Sequence, residues 1–93
     1  MNKKKLIKAR QKIDQIDRTL FKAIKSRTAI VKYMLSLKEK RNQIIDQKRI
    51  NQILKNIRKK SIKNKIDPKI TTKIWKTIIW SYVDYQKRNF KKK

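Results

Sequence analysis

Several polar residues of this chain sit where the apolar pattern around them asks for something else. Arg27 falls on the seam Leu6, Ala9, Ile13, Ile16, Leu20, Ala23, Ile30, Met34 and Leu37. Lys38 follows Arg27 by eleven residues, about three helical turns, so on a continuous helix both point the same way. Gln86 extends a second stripe made of Ile74, Trp75, Ile78, Ile79 and Tyr82. Asp46 and Arg49 are three residues apart between these stripes. A charge in an apolar setting is costly unless it is paired. Six carboxylates cannot neutralise thirty lysines and arginines, so the seam cations are expected to face an anion that is not part of the protein. Plainer readings stand beside this one. A seam arginine can fix the register of a dimer or snorkel to water. A glutamine near a helix end can be solvated, and Asp46 with Arg49 can be a surface ion pair. Trp75, Trp80, Tyr82 and Tyr85 read as packing rather than as a platform for stacked bases.

The absences narrow the chemistry. The 93 residues include no Cys, no His and no Gly, and one Pro. That removes thiol nucleophiles, disulfides, zinc clusters and imidazole bases, so no metal site is expected. It also removes phosphate-cradling glycine loops and type I′ hairpins. No apolar stretch of signal-peptide length follows the basic first residues, and none approaches the ~20 residues of a membrane span. A cytoplasmic location and no membrane partner are therefore expected. The net charge of +24 invites a nucleic-acid reading. Yet Lys occurs 23 times and Ile 16 times, against seven Arg and three Ala, as an AT-rich genome would give at loosely constrained positions. Lysine is spread along the whole chain, whereas a nucleic-acid footprint is clustered. Nucleic acid is not the expected partner, and a small basic helical nucleic-acid-binding protein is the alternative of a different class.

These residues need elements to hold them. The first seam has a period close to 3.5 and predicts one long helix from Lys5 to about Lys40, roughly 50 Å. A polar interval, Glu39 to Gln43, reads as a loop. A second helix is expected from about Ile45 to Lys63 on Ile50, Ile53, Leu54, Ile57 and Ser61. Asp67-Pro68 is a helix start signal, an N-cap followed by proline at the first helical position. The third helix is expected to run to about Asn89. The class is all-α, a single domain over 1–93 with one long helix and two shorter ones. Two helices of about 30 Å cannot cover a seam of about 50 Å. A domain of this size gains from added buried area, and a homodimer that pairs the long helices would supply it.

The segments "KARQKIDQIDRTLFKAIKSRTAIVKYMLSLK", "DQKRINQIL" and "KIDPKITTKIWKTIIWSYVDYQ", in that order, resemble the all-helical chorismate mutases over roughly Leu6 to Gln86. The resemblance implies an intertwined dimer that converts chorismate to prephenate in aromatic amino acid biosynthesis. It also implies roles. Arg10 resembles the arginine that reaches into the partner subunit's site, and Arg27 the one that holds a substrate carboxylate in its own subunit. Lys38 looks like the lysine that binds the ether oxygen and a carboxylate, and Gln86 like the side chain on the other side of that oxygen. Arg49 falls beside the substrate and Asp46 near its hydroxyl. Two positions depart from the pattern. Ile50 stands where the mutases commonly have Glu, and Tyr82 where a small Ser is often found. An aliphatic residue after Arg49 and the aromatic "IIWSYVDYQ" are similar to the isochorismate-pyruvate lyases, which share the fold and are the runner-up.

The chemistry suits a chain without His or Cys. Chorismate is a dianion, and its rearrangement is a one-step pericyclic reaction that needs no nucleophile, proton relay, metal or cofactor. It needs cations that hold the folded conformer by its carboxylates, and donors aimed at the ether oxygen as charge grows there. Guanidinium groups such as those of Arg10, Arg27 and Arg49 suit the first task, and Lys38 and Gln86 the second.

Overall fold

The computed structural model describes residues 2–92; Met1 and Lys93, the ends of the expected 1–93 domain, lie outside the described residues. Three α-helices follow one another: α1 is Lys3–Leu37, α2 is Gln47–Lys63 and α3 is Pro68–Asn89. A 3₁₀ turn, Arg41–Gln43, sits between α1 and α2. No strand occurs among the described residues, so the all-α expectation holds. No helix is long and apolar enough to cross a membrane among those residues. The chain divides into two compact units, Met1–Tyr33 and Met34–Lys93.

The first unit is α1 up to Tyr33. None of the residues of α1 is buried, and Ile13, Ile16, Leu20 and Ile30 are all more than half exposed. The seam read from the sequence is present as a helical stripe, but nothing within the described chain seals it. Within the chain, local propensity and periodicity account for this helix.

The second unit holds the core. Ile44, Ile50, Ile79 and Val83 are buried, and α2 packs against α3. Ile53, Leu54 and Ile57 of α2 and Trp75, Ile78 and Tyr82 of α3 are half-buried. The stripe expected on α3 needs one correction. Ile74 is exposed, and Val83 takes a core place that the stripe omitted. At about 100° per residue Val83 lies within a turn's arc of Ile79 and Gln86, whereas Ile74 lies well round the helix from them.

The helix ends explain the remaining differences from the expected boundaries. α1 stops at Leu37 rather than near Lys40. The Lys38 amide closes a tight turn on the Leu35 carbonyl at 3.1 Å, and the next two amides turn to a side chain instead of the helix. Gln43 Oε1 accepts from the Glu39 amide at 2.8 Å and from the Lys40 amide at 2.9 Å. α2 starts at Gln47, two residues later than Ile45, because the Asp46 carboxylate accepts from the Arg49 amide at 3.0 Å and caps the helix there. α3 begins as the Asp67-Pro68 signal predicts, with Asp67 Oδ1 accepting from the Lys69 amide at 2.9 Å.

The end of α2 is paired in the Schellman pattern. The Lys65 amide donates to Ile62 O at 3.1 Å and the Ile66 amide to Ser61 O at 2.9 Å. Lys65 sits at φ 57°, the left-handed conformation usually left to glycine, in a chain that has none. Below this turn Ser61, itself buried, donates to Ile57 O at 2.6 Å and shares a 2.6 Å hydrogen bond with the Thr71 hydroxyl. The strain at Lys65 predicts that Lys65→Gly stabilises the protein by about 1 kcal/mol, the usual cost of a β-carbon in that conformation. Urea denaturation followed by helicity measures it; a loss of stability would show that the turn does not hold Lys65 under strain.

Candidate functional site

The second unit brings together residues that lie far apart in the chain. Lys38, the first residue after α1, donates from Nζ to Gln86 Oε1 on α3 at 2.5 Å. Gln86 is itself buried, only 7 % exposed, although its side chain is polar. Its Nε2 donates to the Tyr82 carbonyl one turn earlier, at 3.2 Å. The amide is thereby oriented at both ends. An ammonium has three hydrogens and an amide nitrogen two, so these bonds leave two on Lys38 and one on Gln86 for a ligand. Tyr82 enters the site through its backbone oxygen, and its half-buried side chain makes contacts of its own.

α2 delivers the next two residues. Its N-cap, Asp46, holds the backbone of Arg49 in the first turn. A capping box would place Glu or Gln where Arg49 stands; here that third helical position carries an exposed guanidinium instead. The plain reading of Asp46 and Arg49 as a surface pair is replaced by a cap, carboxylate to backbone amide. Ile50, the next residue, is 6 % exposed and belongs to the core, so it shapes any pocket from beneath the surface.

Electrostatics single out Lys38. Burial pushes its ammonium below the ordinary lysine value, and the negative charge of Asp46 opposes that by pulling it back up. The charged form is thus penalised in the fold. That penalty opposes folding fully at pH below the lowered value and fades as pH rises from there to the ordinary lysine value, where the unfolded chain also loses its proton. A cation kept partly out of water is one that an arriving anion can stabilise strongly.

Arg10 and Arg27 belong to the first unit. Arg10 is exposed on α1. Arg27 is half-buried, makes contacts of its own, and has its Nη1 nitrogen shielded from solvent. Among the described residues no group of three or more Asp, Glu, Cys or His could hold a metal ion. Sequence reasoning missed Gln43, whose side chain shapes the connection carrying Lys38. The only sign of it was a glutamine three residues past Lys40, the expected end of the first helix. A surface groove of about 550 Å³ along Ile70, Lys73, Ile74 and Thr77 lies across α3 from Gln86 and is almost wholly apolar. It has the character of a packing face rather than of an anion site.

The sequence model of one family, described as chorismate mutase type II, matches residues 9–87. Neither curated proteins nor solved structures gave a match.

Two substitutions test this geometry without any substrate. Gln86→Glu puts a carboxylate against the Lys38 ammonium and favours its charged form, so Lys38 should titrate at higher pH than in the wild type. Lysine-selective NMR reads the shift; an unmoved Lys38 would mean that the two side chains do not meet in solution. Ile50→Glu forces a carboxyl into the core and should lower the denaturation midpoint, with a loss on the order of 1–3 kcal/mol or more. No loss would show that position 50 is open to water.

Proposed function

This chain belongs to the chorismate mutase type II family, and from that premise we propose that it rearranges chorismate to prephenate as a cytoplasmic homodimer serving aromatic amino acid biosynthesis. The observation that supports this reading best is the Lys38–Gln86 pair, a partly desolvated ammonium and a buried amide held side by side. In the pericyclic step the C–O bond of the ether breaks as a C–C bond forms, and negative charge grows on the ether oxygen. Lys38 and the remaining amide hydrogen of Gln86 meet that charge with donors already in place. Their pre-orientation by Tyr82 O and by each other means that little reorganisation is needed at the transition state. Arg49 offers a guanidinium to a carboxylate from the exposed first turn of α2, and the resemblance to the mutases assigns the other guanidinium contacts to Arg27 and, from the partner subunit, Arg10. Holding the dianion in its folded conformer removes the entropy cost of reaching it.

The dimer rests on unsealed apolar surface. α1 exposes Ile13, Ile16, Leu20, Phe21, Ile30 and Leu37, and α3 exposes Ile70 and Ile74. Exposed apolar residues in such number mark an interface in a soluble protein. A second copy supplies the complementary stripe and the single domain is completed by it. Sedimentation at micromolar concentration should give twice the chain mass; an active monomer would overturn the shared site.

One observation favours a second reading. The aliphatic Ile50, sealed in the core, offers no acceptor to the ring hydroxyl, as in the isochorismate-pyruvate lyases that the sequence also resembles. The same cations would grip isochorismate, an equally charged dianion. Purified protein incubated separately with chorismate and with isochorismate, with prephenate, salicylate and pyruvate measured, separates the two. Faster release of salicylate and pyruvate than of prephenate would make the lyase the correct reading, and inertness towards both would reject both.

On whichever substrate turns over, Lys38→Ala should lower kcat about a hundred- to a thousandfold, the usual loss of one donor aimed at a developing oxyanion. Helicity and assembly mass should be unchanged. Replacing Lys91 and Lys92, exposed past the end of α3, should leave turnover within twofold. Equal losses from both changes would show that Lys38 acts only as surface charge.

A further inference from the structure

The turn between α2 and α3 borders a pocket that the reaction proposed above does not use. Its space of about 330 Å³ lies against Ile57, Ile66 and Trp75, with Ser61, Asn64 and Thr71 at its polar border. Thr71 and Gln86 are fifteen residues apart on α3. At a rise of about 1.5 Å per residue they lie about 22 Å from each other, so this pocket is distinct from the Lys38–Gln86 pair. Its volume falls in the range of small-molecule sites, about 300–1,000 Å³. Ile57, Thr71 and Trp75 are half-buried and Ser61 is 4 % exposed, so the border is built into the packing of α2 on α3.

The hydrogens at that border can be accounted for one by one. A hydroxyl has a single hydrogen to give. That of Ser61 goes to Ile57 O, because a carbonyl oxygen only accepts. The bond between Ser61 and Thr71 is therefore made with the hydrogen of Thr71. Both hydroxyl hydrogens are consumed inside the border, and no donor among the described residues reaches Thr71 Oγ1. Asn64 gives one amide hydrogen to Lys60 O at 2.7 Å, and its Oδ1 is a second acceptor without a donor among those residues. A carboxylate would set its own oxygens against these acceptors. An ammonium would approach a chain of net charge +24 beside Lys60. We propose that the pocket takes a small neutral aromatic molecule bearing one O–H or N–H group, its ring against Ile57, Ile66 and Trp75 and its hydrogen on Thr71 Oγ1.

The full-length protein is titrated with phenol, anisole and benzoate while the two tryptophan indole N–H signals are followed by NMR. Trp80→Phe identifies which signal belongs to Trp75. Phenol should move the Trp75 signal in a saturable way and leave that of Trp80 in place. Anisole carries the same ring with no hydrogen to donate, and it should bind roughly two- to tenfold more weakly, the net worth of one hydrogen bond. Thr71→Val removes the acceptor at nearly the same shape, so phenol should lose its advantage over anisole. Ser61→Ala returns the hydroxyl hydrogen of Thr71, which the ether oxygen of anisole can accept, so anisole should gain on phenol. Circular dichroism checks that both variants keep their helices, and the comparison of ligands on the wild type decides the matter if either does not. Equal affinity for phenol and anisole in the wild type would overturn the proposal. So would a drift of both tryptophan signals without saturation, or an unchanged preference in Thr71→Val. Benzoate binding more tightly than phenol would also overturn it, by making the Lys60 charge the recognising group. None of these outcomes depends on turnover of chorismate or isochorismate.

Discussion

A single ammonium group ties the second unit together. Lys38 comes directly after a 35-residue helix, yet it bonds to Gln86, forty-eight residues on. An ammonium loses hydration when it approaches a packed helix pair, and only good acceptors make the approach tolerable. Gln86 supplies one with its amide oxygen, and Asp46 supplies charge at a distance. The rest of the unit follows from keeping these three in place. Gln43 bends the chain after α1, Asp46 starts α2, and the Ile44, Ile50, Ile79 and Val83 core holds α3 so that Gln86 cannot withdraw.

The same arrangement accounts for how a chain of net charge +24 uses six acids. Carboxylates that hydrogen-bond to backbone amides at helix starts fill donors that no carbonyl can reach, and they complement the helix dipole. Asp46 and Asp67 do so at α2 and α3. Surface ion pairs contribute little, as the exposed Arg88–Asp84 contact illustrates. Uncompensated positive charge is tolerable on exposed helix faces, where water and salt screen it, and it raises the local concentration of anionic ligands. The absence of glycine has a local cost as well, borne by Lys65 in a left-handed turn that still closes its hydrogen bonds.

Part of this was legible in the sequence because it is local. The 3.5–3.6 periodicity, the Asp67-Pro68 start and the missing glycines are short-range facts, and they yielded three helices with α3 bounded correctly at Pro68–Asn89. The polar residues on the apolar stripes were legible as interruptions of the pattern, and the structure decided between a solvated and a buried Gln86 in favour of burial. Less legible were the ends of α1 and α2. They depend on side chains competing with backbone carbonyls for the same amides, and nothing in the periodicity reveals which will win. Gln43 won after α1, and Asp46 won at α2, which starts two residues past its expected beginning.

What the sequence determined by itself was therefore the class of fold, the order of its helices, and the types of side chain that could hold an anion. Tertiary structure decided which of those side chains meet. Lys38 and Gln86 are joined by the packing of α2 on α3, which no spacing along the chain encodes. Ile50 became core because its helix face turned inward against α3. Hydrogen bonds and burial are properties of pairs across the fold, while periodicity is a property of one segment. The first depends on where the second unit brings distant residues, and only the folded chain fixes that.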